Sequence, residues 1–319
     1  MVTFLIIRLS SIGDIFHTLT ILPEIKYKFP DSKIEWLVDK NFENIALLSP
    51  LIDEVISIPL RSWKKNKLTW VFKLLKYKSG LSQKKYDYII DTQGLIKSAL
   101  IARYLFNGKI YGLDRKSARE PLASLFYDYK FNVSQKNIAV IRFKELIGKI
   151  LEIKADKYKI NLPILFKDCN VNDSKIVLFL HGTSKTSKKW DISNWLTLAK
   201  WIIKDSEANI YLTYSNDEEF EFTEEFKSRL SNDRVIIINK LEFNMLADLI
   251  NKSCLIIGVD TGFTHLANLL NKPTLAIYLD SDPGYVGIIE SQIAHNFGGL
   301  KQNVTPLQLI EYIKEYNLL

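Results

Sequence analysis

Short aliphatic and β-branched runs alternate with longer helical stretches almost throughout this 319-residue chain, and that alternation restricts the fold more than any other feature. A strand, a helix and a second parallel strand close with a right-handed crossover, so repeated units build a parallel sheet covered by helices. Strands are expected at Thr3–Arg8, Lys33–Val38, Val55–Ile58, Tyr86–Asp91 and Lys109–Leu113, with helices at Ile15–Lys28, Phe42–Leu48 and Leu95–Tyr104. A helix-rich stretch, Pro121–Leu151, leads into the polar segment Asp156–Asp173, which contains Pro163. The pattern then restarts, with strands Ile176–Leu180, Ile210–Tyr214, Val235–Ile238, Cys254–Val259 and Thr274–Tyr278. Helices Asn194–Asp205, Glu218–Leu230, Glu242–Lys252 and His265–Leu270 separate them. The expected fold is α/β, with two Rossmann-like parallel-sheet domains facing across a cleft. Their expected limits are residues 1–165 and 166–304, with an amphipathic helix in 305–319 packed near the first domain.

A composition of 47% hydrophobic and 25% charged residues suits a water-soluble chain long enough to bury two cores. Cys169 and Cys254 are far apart and lack metal-ligand spacing, which argues against a disulfide framework and fits a reducing compartment. Arg8 and Asp14 interrupt the first apolar run, so no signal peptide is expected, and no run approaches the roughly 20 residues needed to cross a bilayer. The net charge is +7, yet Arg61 to Lys85 alone carries nine bases and no acid. Trp63, Trp70, Phe72 and Tyr77 are interleaved with them. Such a segment suits anionic lipid headgroups, substrate phosphates or nucleic acid; it also suits a solvated helix face with its aromatics turned to a core. An RNP-type motif is absent, which weakens the nucleic-acid reading.

Open α/β sheets bind ligands beyond the carboxyl ends of their strands, so the residues following each strand matter most. After the first comes RLSSIGD, where Gly13 permits a tight turn and Ser10, Ser11 and Asp14 can accept from a helix N-terminus. Asp14 is either a helix-capping acid or a base. The second half opens with HGTSKTSKKWD, His181 to Asp191, whose hydroxyls and lysines suit a diphosphate as well as a solvated loop. DTGFTH, Asp260 to His265, combines a capping residue, Gly262 and a helix mouth, which is an anion-binding geometry. The sequence contains no GxGxxG, P-loop or HExxH motif, so dehydrogenase, P-loop nucleotidase and zincin readings lose support. An acid on one Rossmann half and a diphosphate site on the other describe a nucleotide-sugar transferase. Asp14 would then be the base acting on an acceptor hydroxyl.

SSIGD, DTQGLIKSAL at Asp91–Leu100, AREPLASLFY at Ala118–Tyr127, FLHGTS and KKW within Phe179–Trp190, VDTGFTHL at Val259–Leu266 and SDPG at Ser281–Gly284 occur in one order along the chain. In these the sequence resembles glycosyltransferase family 9, the lipopolysaccharide heptosyltransferases, over essentially its whole length. DTQGLIKSA and AREPLASLFY are similar to the branch that adds the first heptose. The resemblance implies a GT-B fold and inverting transfer of L-glycero-D-manno-heptose from ADP-heptose to the first Kdo of Kdo2-lipid A, with no cofactor and no obligatory metal. It implies that Asp14 is the catalytic base and that Thr183, Ser184 and Lys188 hold the diphosphate. Asp260, Thr261, Gly262 and His265 would form the donor loop, and Glu219, beside Glu218, would hold the ribose. Ser10, Ser11, Gly13 and Arg119, together with Arg61 and Lys64 of the basic segment, would hold the acceptor. The basic segment would also keep the enzyme on the anionic cytoplasmic face of the inner membrane, with no nucleic-acid partner. The alternatives are a second heptosyltransferase type with a heptosylated acceptor, or a non-catalytic lipid A-binding protein. Tyr214-Ser215 stands where the family commonly has Trp-Gly, and Tyr278–Pro283 lacks the family's first glycine.

Overall fold

The computed structural model describes residues 1–60, 84–154, 156 and 159–319. Its described residues divide into two compact units, Met1–Pro163 and Ile164–Leu319. The first contains strands β1 (Thr3–Ile7), β2 (Lys33–Asp39), β3 (Glu54–Ile58), β4 (Lys85–Asp91), β5 (Asn107–Leu113) and β6 (Tyr129–Phe131), in the order β3-β2-β1-β4-β5-β6. The second contains β7 (Ile176–Leu180), β8 (Asn209–Thr213), β9 (Val235–Ile238), β10 (Leu255–Val259), β11 (Thr274–Tyr278) and β12 (Ala294–Gly298), in the order β12-β11-β10-β7-β8-β9. Every ladder is parallel. Counted from its own first strand, each sheet has the doubly wound Rossmann order, and its winding reverses between two central strands: β1 and β4 in one, β7 and β10 in the other.

In the first unit the helices are α1 (Ile12–Leu19), α2 (Leu22–Lys28), α3 (Glu43–Ala46), α4 (Ile96–Leu105) and α5 (Ala139–Leu151). In the second they are α6 (Ile192–Asp205), α7 (Asp217–Leu230), α8 (Phe243–Lys252), α9 (Gly262–Leu269), α10 (Pro283–Val286) and α11 (Pro306–Glu315). All five residues of β7, β10 and β11 are buried, as expected of central parallel strands covered on both faces. Phe179 of β7 packs on Trp195 of α6 with ring centroids 4.8 Å apart, and Trp190 meets Trp195 edge-on at 5.0 Å. Among the described residues, no helix is long and apolar enough to cross a membrane.

Three expectations need correction. The helix expected at Ile15–Lys28 is two helices, because Pro23 lies in the first turn of α2 and cannot continue α1: it lacks an N–H, and its ring collides with the preceding turn. The stretch Pro121–Leu151 contains the three-residue edge strand β6, too short to leave a periodic signal. The second unit extends to Leu319 and includes the C-terminal helix. Leu309, Ile310 and Ile313 of α11 enter the core shared by α6 and the second sheet, and Trp190 Nε1 donates to the Val304 carbonyl at 2.8 Å just before α11. An apolar face of that kind is satisfied wherever an open core lies nearest, which periodicity alone does not specify.

Candidate active site

In each sheet most of the polar residues singled out by sequence follow the two strands where the winding reverses; Arg119 follows β5 and Glu219 follows β8. Arg8 follows β1 and is only 4% exposed. Its guanidinium donates to the Thr92 carbonyl at 2.6 Å, pairs with Asp14 Oδ1 at 2.7 Å and lies 5.0 Å from the centroid of Phe143. Ser11 is the N-cap of α1, and Asp14 is the third residue of that helix. The other carboxylate oxygen, Oδ2, accepts from the Ser11 amide at 3.2 Å and from its hydroxyl at 3.1 Å. Asp14 is therefore a capping acid and an ion-paired acid at once. Burial works against its charge, but Arg8, nearby His17 and the Ser11 amide outweigh it and bring the pKa down to about 2.

The turn after β4 holds the turn after β1. Asp91, fully buried, accepts from the Gln93 and Gly94 amides at 2.9 and 3.3 Å and from the Tyr127 hydroxyl at 2.8 Å; burial nonetheless pushes its pKa up. Gln93 Oε1 accepts in turn from the Leu9 and Ser10 amides at 2.9 and 3.3 Å. Gly94 is left-handed, at φ +64°, and its carbonyl accepts from Glu120 N at 2.9 Å. The Glu120 carboxylate caps α4 through Ile96 N at 2.7 Å. This brings Arg119, exposed, beside Gly94: a Cβ built on Gly94 would lie 3.3 Å from Arg119 N. Ser10, Ser11, Gly13, Asp14 and Arg119 thus belong to one framework of turns. Arg61 and Lys64 lie outside the described residues.

In the second unit the turns after β7 and β10 meet in the same way. Thr183 Oγ1 donates to the Asp260 carbonyl at 3.4 Å. Lys188, in a 3₁₀ turn, pairs with Asp260 Oδ2, which also accepts from Ser281 Oγ at 2.5 Å, while His265 Nε2 lies 3.6 Å from Asp260 Oδ1. Burial opposes the charge on Asp260, but His265, Lys188 and Ser281 outweigh it and hold the carboxyl well below the usual range. Thr261 is the N-cap of α9 and makes no side-chain capping bond, and Gly262 is the first helical residue. Ser184 is exposed on the loop between β7 and Lys188.

Glu219 stands in the helical turn after β8, beside the turn after β7. It is the third residue of α7, and its Oε2 accepts from the Ser215 amide at 2.8 Å and the Ser215 hydroxyl at 2.7 Å. Its other oxygen faces the backbone of the β7 turn closely enough that a Cβ on Gly182 would lie 2.5 Å away. Adjacent Glu218 turns outward to pair with Lys189. His181 is not aimed at a ligand: its Nε2 lies 3.1 Å from the Thr213 carbonyl, and its ring stacks on Phe222 at 4.3 Å.

Chemically, the first unit offers an ionised carboxylate backed by a buried guanidinium. The second offers cations, hydroxyls and a helix N-terminus, the set that holds a diphosphate. Asp260 is an anion and repels phosphate; the geometry suits it to orienting Lys188, His265 and Ser281. Sequence reasoning missed Arg8, Gln93 and Ser281 as supporting residues. Their position directly after a strand, or within a quoted motif, was the available signal. Among the described residues, Asp168, Cys169 and Asp248 lie close enough to share an ion. The Lys252 ammonium already bridges both carboxylates, at 2.6 and 3.0 Å.

Residues 74–307 match the family model described as glycosyltransferase family 9 (heptosyltransferase). The lipopolysaccharide heptosyltransferase 1 of Escherichia coli O18:K1:H7 is 31% identical over 300 residues, covering 89% of this chain and 87% of that protein. The structure of E. coli heptosyltransferase WaaC with ADP superposes with a TM-score of 0.86 at 28% identity, covering 98% of this chain and 99% of that one. WaaC with ADP-2-deoxy-2-fluoro heptose gives 0.85 at 27% identity, with the same coverage of both chains.

Proposed function

The chain belongs to glycosyltransferase family 9, the heptosyltransferases, and from that membership we propose that it transfers L-glycero-D-manno-heptose from ADP-heptose to the first Kdo of Kdo2-lipid A. Its two six-stranded parallel α/β sheets are of the GT-B type expected from the sequence. The observation that carries the reading is the distribution of charge over the switch points. An ionised acid stands after β1, and a lysine, hydroxyls and a helix N-terminus stand after β7 and β10.

In this reading Asp14 takes the proton from the acceptor hydroxyl as that oxygen attacks the anomeric carbon. One displacement forms the glycosidic bond, breaks the bond to the diphosphate and inverts the centre. A base held at about 2 is weak. The hydroxyl proton becomes strongly acidic only as its oxygen bonds to an oxocarbenium-like carbon, so a weak base, ionised throughout the neutral range, is sufficient. Thr183, Ser184, Lys188 and the first amides of α9 meet the charge on departing ADP, with His265 beside them. Lys188 can share its three donors between Asp260 and a phosphate oxygen. With the leaving charge met by these groups, the transfer requires no metal. Glu219 accepts from the ribose hydroxyls. Ser10, Ser11, Gly13 and Arg119, with Arg61 and Lys64, hold the acceptor's carboxylates and phosphates. The acceptor's lipid anchor makes the cytoplasmic face of the inner membrane the place of action.

The test is turnover read by product mass, with ADP-heptose offered together with Kdo2-lipid A or with a heptosylated acceptor. Product from Kdo2-lipid A alone is expected, and Asp14→Asn is expected to lower kcat by roughly a hundredfold or more with circular dichroism unchanged. Undiminished turnover in that variant removes Asp14 from the chemistry. Product from the heptosylated acceptor alone makes the protein a second-heptose enzyme.

A further inference from the structure

Beyond Arg119, the segment after β5 carries an apolar surface that the transfer reaction does not use. Residues Pro121–Phe126 form a 3₁₀ helix lying along α4. It is tied to the start of α4 by Glu120 and to its end by Arg103, which donates to the Phe126 carbonyl at 2.7 and 3.2 Å. Ala123 and Ser124 face inward and are buried, whereas Leu122 and Leu125 are 52% and 68% exposed. A 3₁₀ helix has three residues per turn, so residues i and i+3 eclipse and these two leucines form one line toward solvent. A single exposed leucine is ordinary, but an aligned pair on a pinned helix is a small, rigid apolar ridge.

The fully exposed charges of the loop before the helix are cations. Arg115, Lys116 and Arg119 are exposed on the loop that leads into the helix. The acids of that loop are engaged with nearby amides. Asp114 accepts from the Lys116 and Ser117 amides at 3.0 and 2.9 Å and from Asn132 at 2.9 Å, and Glu120 accepts from Ile96 N. Apolar side chains flanked by cations match the interface of an anionic membrane, where acyl chains lie beneath phosphates.

We propose that Arg115–Phe126 docks on an anionic phospholipid bilayer, with Leu122 and Leu125 entering the interfacial layer and Arg115, Lys116 and Arg119 meeting lipid phosphates. This rests on reading the Ser10–Asp14 turn and Arg119 as the acceptor side, because an acceptor sugar joined to a lipid must be reached at the membrane surface. The ridge begins where that requirement puts it, since the Arg119 backbone abuts the β4 turn that holds Leu9 and Ser10. Two leucines and three cations give reversible attachment, which suits an enzyme that must release a membrane-bound product.

The test is co-sedimentation of the full chain with phosphatidylglycerol–phosphatidylethanolamine vesicles, comparing wild type with the double variant Leu122→Ser, Leu125→Ser. Partitioning is expected to fall about tenfold or more, because two apolar insertions are lost. Turnover of a deacylated, water-soluble Kdo acceptor is expected to stay at the wild-type level. Tryptophan emission of Leu125→Trp is expected to shift to the blue, relative to wild type, when vesicles are added. Unchanged partitioning, or no shift for Leu125→Trp, overturns the proposal. Loss of turnover on the deacylated acceptor also overturns it, since the leucines would then serve the sugar site. Light scattering that shows a wild-type dimer broken by the double variant assigns the ridge to a second copy of the chain and overturns it as well. If wild type turns over neither acceptor, the proposed function fails, while the vesicle measurement still decides the docking.

Discussion

Arg8 and Asp14 form an ion pair at 2.7 Å in which a guanidinium 5% exposed fixes one oxygen of a carboxylate 28% exposed. The other oxygen caps α1 through Ser11. A candidate base is thus held by the helix it begins and by the strand before it, and each hold lowers its pKa.

That depression makes part of the stability pH-dependent. The folded pKa of Asp14 is about 2, below its ordinary value of 3.8, so its contribution is complete above about pH 5 and lost as pH falls through 4 toward 2. Urea unfolding of wild type and Asp14→Asn should differ by about 2 kcal/mol more at pH 6 than near pH 2. A difference independent of pH would show that Arg8 does not stabilise the charged form.

Gln93→Ala should separate the acceptor side of the site from the donor side. It leaves the Leu9 and Ser10 amides without their side-chain acceptor, at a cost of about 1–3 kcal/mol. Turnover and acceptor KM should worsen while calorimetric ADP affinity stays at the wild-type value, because the β7 and β10 turns are untouched. Weakened ADP binding would contradict this assignment.

Gly182→Ala tests how closely Glu219 must approach the β7 turn. The new Cβ would lie 2.5 Å from Glu219 Oε1, the far end of a flexible side chain, so the carboxylate can yield at little cost in stability. A change in unfolding free energy below about 1 kcal/mol is expected, with donor KM raised about tenfold and kcat nearly unchanged, the signature of lost uniform binding. A fall in kcat at constant KM would move Glu219 from binding into chemistry.

Asp260→Ala removes the anion on which Lys188, Ser281 and His265 converge. Taking one partner from a buried pair leaves the other uncompensated, so a loss of about 3 kcal/mol is expected in chemical denaturation. ADP affinity should fall as Lys188 loses its orientation. Asp260→Asn keeps the shape and should recover part of the stability. If affinity rises in either variant, Asp260 competes with the diphosphate for Lys188 more than it positions it.

The alternation of strands and helices, the strand-end position of SSIGD, HGTSK and DTGFTH, and the two-sheet architecture were legible in the sequence because each is local. An apolar run, a glycine or a capping residue acts within a few positions of itself. The break at Pro23 is local too: apolar periodicity runs on through it, while the missing N–H ends α1 there. β6 left no signal because three residues carry no period.

What the sequence determined by itself is which polar residues stand at strand ends and therefore which can meet a ligand. Tertiary structure decided which of them meet one another. Arg8 and Thr92 are 84 positions apart, Lys188 and Asp260 are 72 apart, and each pair is adjacent only because β1 lies beside β4 and β7 beside β10. That strand order also set the charge state of Asp14, through the geometry of Arg8, and made Asp260 of the expected donor loop an anchor for Lys188 and His265. The physical reason is range: propensity and periodicity are summed along the chain, whereas Coulomb energy and desolvation depend on distance in space, which only the folded sheet specifies.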